Sequence, residues 1–516
     1  MRGKFHRPLA LACLLGSSSA LFAQGFILQR AFLSLDDPGS KYGWSMATSD
    51  DHVVFGMPHA SGQQGRVVVL PSPGLAWVDE AAAVIVEEGA SVVPAQRYGA
   101  AVATSGDLIA VGNCSAYGSD QYCNADEPRS ITILQKSGSL WQLVQSLAPP
   151  SGAEGGFGKA LAMDDGRLAV GGCTTSHDGN SYGVVYLYQW NGTSFGTAPQ
   201  DSLISEIPVQ DDFGFALAMH DDLLAVGASR NAELGTDAGA VHMYRFGQGG
   251  EEHWGLTHTL LASNGSTDDR FGFALALRAD RLVVGAPGCE QDGLVVGGAY
   301  VFARDSDAGQ DWGEVIDLHP SVPHANMQFG ASVAQSDVHI AVGAPVDANS
   351  DLGTDGSVDV FAIGDGSPWA FVQHIVPFFD QRVSAVSRAG TSLGFVDGAL
   401  LIGSPFAIVD DLTNTPTGGV LLYRDPLLSV SAEEMGSNLR TWPNPFVEIL
   451  HVEVPFQHGL PVRAELIDPL GRVVHTERFM SSPLTMQRQG LRTGPYVLRV
   501  TDGSSNMVGF LTVIAD

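Results

Sequence analysis

Residues 271–287 read FGFALALRADRLVVGAP, an aromatic-glycine pair followed by two apolar segments around a short polar turn. The same pattern returns along the chain, each time with small residues behind the pair. Successive pairs begin at Tyr42, Tyr98, Phe157, Phe213, Phe271 and Phe329, at spacings of 56, 59, 56, 58 and 58 residues. A period of this length indicates a supersecondary unit that must stack on its neighbours to bury its apolar face.

Each copy contains four apolar segments. The pair opens the first, and a second segment ending in glycine follows about ten residues later, such as RLVVGAP at 281–287. A third and a fourth are seen in GGAYVFAR at 297–304 and WGLTHTLL at 254–261. Alternating apolar residues bounded by turn residues are typical of strands. The sequence therefore predicts four-stranded antiparallel units that close radially into a β-propeller.

The length of the repeat region predicts seven blades. Residues 26–425 number 400, or about 57 for each of seven copies, and the seventh keeps ALLIGSP at 399–405 without an aromatic-glycine pair ahead of it. This last copy stops after its third strand, at Tyr423. The segment FILQRAFLSL at 26–35 has the pattern of a fourth strand but precedes the first copy. We expect it to complete the last blade of an all-β, seven-bladed propeller at 24–425.

The amino terminus has the three parts of a secretory signal. Arg2, Lys4 and Arg7 precede a short apolar run, and small residues follow up to Ala23. We predict a signal peptide at 1–23 and export of the chain. Export makes four cysteines candidates for disulfides, although the last two could equally be buried thiols: Cys114, Cys123, Cys173 and Cys289.

Charge narrows the class of partner. The chain has 27 Lys+Arg against 56 Asp+Glu, a net charge of −29, and residues 24–439 hold 17 of the basic and 49 of the acidic residues. Nucleic acids and anionic membranes need a basic surface, so the net charge argues strongly against nucleic acid and disfavours anionic membranes as partners. No later stretch approaches the ~20 apolar residues of a transmembrane helix. Divalent cations or basic surfaces are the partners that the charge favours.

The segments FG-x-[AS] and VGAP resemble the FG-GAP repeat of integrin α-subunit propellers. The bacterial subtype with short inner turns is the closer likeness, and the resemblance implies a propeller over about 400 residues. Integrin-type repeats carry a D-x-D-x-D-G-x-x-D calcium loop between the two segments. Here that position holds only short turns such as MHDD at 219–222, so no calcium is expected there.

One other loop is a candidate calcium site. The sixth copy offers four oxygen-bearing side chains at alternate positions: Asp347, Asn349, Asp351 and Asp355. The fourth copy has a similar series, Asn231, Glu233 and Asp237. Calcium needs six or more oxygens, which such alternation can supply. The alternative is a solvated turn with Asx hydrogen bonds and no cofactor.

The carboxy-terminal residues form a second module. A polar linker at 426–439 is followed at 440–516 by short alternating strands that predict a small immunoglobulin-like β-sandwich. Its landmarks PNPF, LIDPLGRVV and LRTGPYVLRV resemble the type A sorting domain of type IX secretion, found in Bacteroidota. The resemblance implies the type IX machinery as a partner and a secreted or outer cell-surface location. The alternative is an ordinary adhesive immunoglobulin-like domain.

Function is less visible than fold. The sequence has no G-x-S-x-G, HExxH or P-loop motif, so we predict a binding or adhesion protein that is not an enzyme. Its propeller would display loops to a protein or glycan; the most variable are 113–129, 173–182, 228–238, 287–297 and 345–356.

The alternative is a secreted propeller enzyme acting on polysaccharide or phosphoester. Three or more acids converging at the channel mouth would favour the enzyme. A loop face lined by Tyr117, Tyr122 and Tyr182 would favour ligand binding.

Overall fold

A computed structural model describes most of the repeat region and parts of the carboxy-terminal module. The described residues are 26–33, 39–60, 65–71, 84–86, 97–113, 130–175, 181–205, 211–304, 311–348, 356–362, 369–376, 387–407, 418–424, 440–442, 449–453, 462–467, 473–479, 484–487, 494–501 and 507–515. The predicted signal at 1–23 and the predicted linker at 426–439 lie outside them. Residues Phe26–Ser429 form one compact unit, and Val430–Asp516 belong to a second.

Within the described ranges, every named element of the first unit is a strand. In chain order they are β1 (Ile27–Leu33), β2 (Ser45–Thr48), β3 (His52–Met57), β4 (Arg66–Pro71), β5 (Val84–Val86), β6 (Ala101–Ser105), β7 (Leu108–Gly112), β8 (Ile131–Ser137), β9 (Leu140–Leu147), β10 (Ala153–Gly155), β11 (Leu161–Asp164), β12 (Arg167–Thr175), β13 (Ser181–Gln189), β14 (Asp201–Ile204), β15 (Phe213–His220), β16 (Leu223–Ala228), β17 (Ala240–Phe246), β18 (Trp254–Leu260), β19 (Ala274–Leu277), β20 (Arg281–Ala286), β21 (Glu290–Gln291), β22 (Leu294–Val295), β23 (Gly298–Arg304), β24 (Trp312–Leu318), β25 (Ser332–Gln335), β26 (His339–Ala344), β27 (Ser357–Ala362), β28 (Ala370–Ile375), β29 (Ser392–Val396), β30 (Ala399–Ser404) and β31 (Gly419–Arg424). Among the described residues, no helix is long and apolar enough to cross a membrane.

These strands form seven antiparallel blades. From the channel outward they run β2-β3-β4-β5, β6-β7-β8-β9, β11-β12-β13-β14 (with β10 beside β12), β15-β16-β17-β18, β19-β20-β23-β24, β25-β26-β27-β28 and β29-β30-β31-β1. Each innermost strand contacts the innermost strands on either side, and β29 of blade seven contacts β2 of blade one. The predicted seven-bladed, all-β propeller is therefore confirmed.

Both ends of the propeller sequence meet in blade seven. Strand β1 lies antiparallel to β31, with Ile27 opposite Arg424 and Leu33 opposite Gly419. Phe26 and Phe32 are each 3% exposed. Phe26 joins an apolar cluster with residues of blades six and seven, and Phe32 joins one with residues of blades seven and one. The amino-terminal strand thus supplies hydrogen bonds to one blade and apolar area to both of its junctions.

The aromatic of each repeat is buried at a junction between blades. Phe271 is fully buried and packs in a T-shape on Tyr300 and Phe302, with ring centroids 5.4 and 5.8 Å apart. Its cluster contains Val241 and Met243 of the preceding blade. Burial of such a ring contributes roughly 2–3 kcal/mol. The repeated aromatics are therefore structural.

Glycine sets how closely neighbouring blades approach. A Cβ on Gly285 would lie far inside van der Waals distance of the carbonyl oxygen of Gly330 in the next blade. The same close approach between a glycine and the carbonyl oxygen of a glycine in the next blade recurs at every junction: Gly56 with Gly99, Gly112 with Gly158, Gly171 with Gly214, Gly227 with Gly272, Gly285 with Gly330, Gly343 with Gly390, and Gly403 with Gly43. The last pair closes the ring. Only glycine allows backbone to approach backbone this closely.

Blade seven keeps this glycine and lacks only the aromatic. Gly390 takes the place of the pair's glycine and is preceded by Ala389, which is fully buried against blade six. The seventh copy has therefore lost the ring of the pair, and its glycine remains.

The second unit consists of two antiparallel sheets. Its strands are β32 (Arg440–Trp442), β33 (Ile449–Glu453), β34 (Val462–Ile467), β35 (Val473–Phe479), β36 (Leu484–Gln487), β37 (Gly494–Thr501) and β38 (Met507–Ala515). They are ordered β32-β33-β36 and β35-β34-β37-β38. One core, including Leu450 and Val452 from the first sheet and Leu466 and Leu498 from the second, lies between them. The immunoglobulin-like assignment stays a prediction.

Candidate functional site

The meander gives the ring two faces. The upper face carries the loops between the second and third strands of each blade and the connections to the next blade. The lower face carries the turns between the first and second strands and between the third and fourth. The described parts of the loops selected from the sequence lie on the upper face. Of these, 228–238 and 287–297 are completely described, whereas 114–129, 176–180 and 349–355 lie outside the described residues. Tyr117 and Tyr122 fall in that part, and Tyr182 is half-buried in β13.

The upper-face loop of blade four is held by its own polar groups. The Asn231 side-chain oxygen accepts a hydrogen bond from the Glu233 amide at 2.9 Å. Arg230 pairs with Asp237 at 3.2 Å. This is the Asx turn that was the alternative to calcium in this loop. It leaves Leu234 at the tip, 44% exposed.

The corresponding loop of blade five is a small hairpin. Strands β21 and β22 pair, and the turn between them is Asp292-Gly293, both with positive φ. Asp-Gly is the preferred sequence for a tight turn of this kind. Leu294 and Val295 are exposed on the hairpin, and Val322 on the next connection is 41% exposed. Together with Leu234 we call these side chains the apolar rim.

Buried carboxylates fix the connections between blades. Asp211 accepts hydrogen bonds from the Ser205 hydroxyl and, at 3.1 Å, from the Phe213 amide. Asp359 accepts from the Ser321 amide at 2.7 Å and contacts His374 at 2.6 Å. Both carboxylates are 2% exposed. These acids therefore hold the loops in place, and they are not free to serve a ligand.

The first residue of the candidate calcium loop has a similar role. Asp347 is completely buried, its carboxylate lies 2.6 Å from His324 Nδ1, and it accepts from Ser357 Oγ at 2.6 Å. Asn349, Asp351 and Asp355 lie outside the described residues. Within the described part of the chain, no three His, Cys, Asp or Glu side chains are grouped so that they could hold a metal ion. The calcium site stays a prediction.

Chelation tests that prediction. If the loop of blade six binds calcium, EDTA will lower the melting temperature of the full chain and added calcium will restore it, because an ion bound only by the folded state stabilises that state. An unchanged melting temperature in EDTA would contradict the calcium site.

Cys289 lies at the base of the blade-five hairpin as a buried free thiol. Its sulfur is 3.4 Å from the Tyr300 hydroxyl, which donates to the Asn264 side-chain oxygen at 2.8 Å. Of the other cysteines, Cys114 and Cys123 lie outside the described residues, and Cys173 lies in β12 with its side chain undescribed. Cys289 was a candidate either for a disulfide or for a buried thiol, and the structure shows the buried thiol.

We expect Cys289 to resist alkylation in the folded chain. Burial raises the pKa of its thiol to about 12, so almost no reactive thiolate is present at pH 8. Mass spectrometry after iodoacetamide treatment should find Cys289 unmodified in the native protein and modified after unfolding in guanidinium. Rapid native modification would contradict the buried position.

The lower face carries a regular set of acidic residues. Every turn between a first and a second strand contains aspartate: Asp50, Asp51, Asp107, Asp164, Asp165, Asp221, Asp222, Asp280, Asp337 and Asp397. Four of these acids pair with cations, namely Asp51 with Lys136, Asp165 with Arg167, Asp222 with Arg245 and Asp337 with Arg278. The acids are thus distributed one or two to a blade around the lower end of the channel.

Comparison with protein families recognises both units. Residues 207–244, 254–302 and 312–361 match the FG-GAP repeat, and residues 440–513 match the secretion system C-terminal sorting domain. The first three matches correspond to blades four to six. No curated protein matches the chain.

Two solved structures are similar at the level of fold. One is PorZ of Porphyromonas gingivalis, an essential bacterial surface component of the type-IX secretion system, at 12% identity and a TM-score of 0.42 over 94% of this chain. This chain spans 60% of the length of that protein. The other is the periplasmic gluconolactonase PpgL of Pseudomonas aeruginosa, at 11% identity and a TM-score of 0.39, covering 77% of this chain and 95% of that one.

Proposed function

We propose that this chain, an FG-GAP repeat propeller that its type IX secretion sorting domain directs to the cell surface or the medium, is a binding protein and not an enzyme. Its ligand, a surface protein or glycan, would contact the upper face. The sorting domain would engage the type IX machinery during export.

One observation carries the proposal: the apolar rim stands exposed on loops that hydrogen bonds and strand pairing hold in place. Leu234 projects from a loop fixed by Asn231, and Leu294 projects from a paired hairpin. Exposed apolar side chains on a preorganised surface lose little conformational entropy when a partner covers them.

The distribution of carboxylates supports a role without catalysis. The buried acids of the upper face are hydrogen-bonded to the loops, and several acids of the lower face are paired with arginine or lysine. General acid-base chemistry needs a carboxylate within reach of substrate and with a matched partner. Neither set of acids offers that arrangement among the described residues.

An array of glycans and extracellular matrix proteins, probed with the full chain, tests this function. A chain carrying both Leu234→Ser and Leu294→Ser should lose at least tenfold in affinity for the ligand found. The control, Val315→Ser, removes a side chain that is 52% exposed on outer strand β24 and should bind normally. Equal binding by all three chains would refute the use of the upper face. Turnover in a panel of glycoside and phosphoester substrates would refute the non-enzymatic role.

A further inference from the structure

A second feature of the upper face is a ring of seven equivalent backbone positions, one on the connection that precedes each innermost strand. In every blade, the residue immediately before the aromatic, or before Ala389 in blade seven, has a left-handed φ. These residues, which we call the mouth ring, are Lys41 (61°), Arg97 (52°), Gly156 (64°), Asp212 (55°), Arg270 (59°), Gln328 (58°) and Arg388 (49°). Such conformations are uncommon for residues other than glycine, asparagine and aspartate.

The mouth ring is basic in an acidic protein. Four of its seven residues are Lys or Arg, although the whole chain has 27 such residues in 516. At that frequency fewer than one would be found among seven positions. Asp212 is the single acid of the ring. The seven positions of the mouth ring thus include four basic residues and one acid, whereas the turns between first and second strands on the lower face all contain aspartate.

Three of these cations, Lys41, Arg97 and Arg388, come from the adjacent blades one, two and seven, and two of them lie over an aromatic ring. Lys41 Nζ lies 3.3 Å from the centroid of the Phe406 ring, and the Arg388 guanidinium carbon lies 4.7 Å from the same centroid. Trp44 is half-buried, with its ring 6.3 Å from the rings of Phe406 and His59. Cations over aromatic faces are held in fixed positions at a partly exposed surface.

Backbone hydrogen bonds fix this cluster. The His59 amide donates to the Ser40 carbonyl at 3.3 Å, and the Phe406 amide donates to the Ser387 carbonyl at 3.2 Å. The loops bearing His59 and Phe406 are thereby held beside the mouth-ring residues of blades one and seven.

Within the described residues, no carboxylate lies within 4.0 Å of Lys41, His59, Arg97 or Arg388, whereas Lys136 and Arg278 on the lower face each pair with an aspartate. Burial and Arg388 lower the pKa of Lys41 to about 8, and burial, Arg97 and Lys41 lower the pKa of His59. Partly desolvated like charges repel one another, so an anion placed among them gains affinity.

We propose that Lys41, Arg97 and Arg388, with Trp44 as an apolar wall, bind the carboxylates of an acidic polysaccharide. Guanidinium groups match the two oxygens of a carboxylate, and an indole face accepts the C–H face of a sugar ring. This proposal rests on the proposed binding function and adds to the apolar rim of blades four and five a second contact area, in blades seven, one and two.

The test is calorimetric titration of the full chain with polygalacturonate, with a neutral galactan of equal length as the control ligand. The upper variant carries Lys41→Asn, Arg97→Asn and Arg388→Asn. Because asparagine adopts left-handed φ readily, its melting temperature should not fall. A matched lower variant carries Lys136→Asn, Arg167→Asn and Arg278→Asn.

We expect the parent chain and the lower variant to bind polygalacturonate with affinities within threefold of each other. The upper variant should bind at least a hundredfold more weakly. Affinity of the parent should fall about tenfold or more between 50 mM and 500 mM NaCl, because screening weakens exposed charge pairs. Equal binding by the two variants would overturn the proposal, as would binding of sulfated but not carboxylated polymers. Binding of the neutral galactan alone would overturn the carboxylate site and leave the proposed binding function standing.

Lysine acylation gives a second readout. After the predicted signal the chain has only three lysines, Lys41, Lys136 and Lys159. With its pKa near 8, about half of Lys41 is a neutral amine at pH 8, so a small activated ester should acylate it. Saturating polygalacturonate should protect Lys41 at least tenfold and leave the labelling of Lys136 unchanged. Unaltered labelling of Lys41 in the bound state would overturn the site.

Discussion

Gly285→Ala is expected to lower the free energy of unfolding of the propeller by at least about 3 kcal/mol. A methyl group at this position would overlap the carbonyl oxygen of Gly330. Backbone on both sides cannot move aside as a flexible side chain could, so blades five and six would have to separate. Separation would loosen the cluster at this junction, which includes Val283, Phe329 and Val342. Urea unfolding followed by tryptophan fluorescence measures the change.

A second glycine of the same blade is the matched control. Gly313 lies in β24, its φ is not left-handed, and no heavy atom lies within 4 Å of where its Cβ would be. Gly313→Ala should be neutral or stabilise by up to about 1 kcal/mol, because alanine restricts the unfolded chain. Similar losses in the two variants would show that the approach between blades does not limit stability.

Removal of the amino-terminal strand is expected to have the largest effect. A chain beginning at Gly39 lacks β1 together with Phe26 and Phe32, whose burial at two junctions contributes roughly 2–3 kcal/mol each. It would also leave the edge of β31 unpaired. That loss is comparable with the total stability of many domains. We expect this chain to lose its near-ultraviolet circular dichroism and to aggregate.

The control for this truncation begins at Gln24, so that only the predicted signal is missing. It should melt as the full chain does. A synthetic peptide of residues 24–38 should restore the shortened chain if the missing strand pairs with β31 from solution. A shortened chain that melts at the same temperature as the control would contradict the closing role of β1.

Much of the fold could be predicted because its determinants recur. The aromatic-glycine pairs gave the period, and the period gave the number of blades. Blade seven shows where that signal is weak: Ala389 replaces the aromatic, and only the structure reveals that Gly390 keeps the contact with Gly343. Glycine is needed for close approach at every junction, whereas one missing ring is accommodated by Ala389 within an apolar cluster.

The candidate site was less visible because its parts are distant in sequence. Lys41 and Arg388 stand at opposite ends of the propeller sequence and share Phe406 only because the ring closes. The residue before each aromatic could have been noticed as basic in four copies. Its left-handed backbone conformation could be seen only in the structure. The apolar rim likewise depended on which side chains the loops leave exposed.

The pairing of β1 with β31 also bears on how long the folded protein resists extracellular proteases. The paired segments are almost 400 residues apart in the chain. We expect their contacts to form late in folding, because closing so long a loop is costly until the intervening blades have folded. Once formed, they must break before either end of the ring can fray. Extracellular proteases cleave a chain mainly after it has unfolded. Because β1 pairs with β31, we expect the rate of unfolding of the closed ring to set the lifetime of the protein.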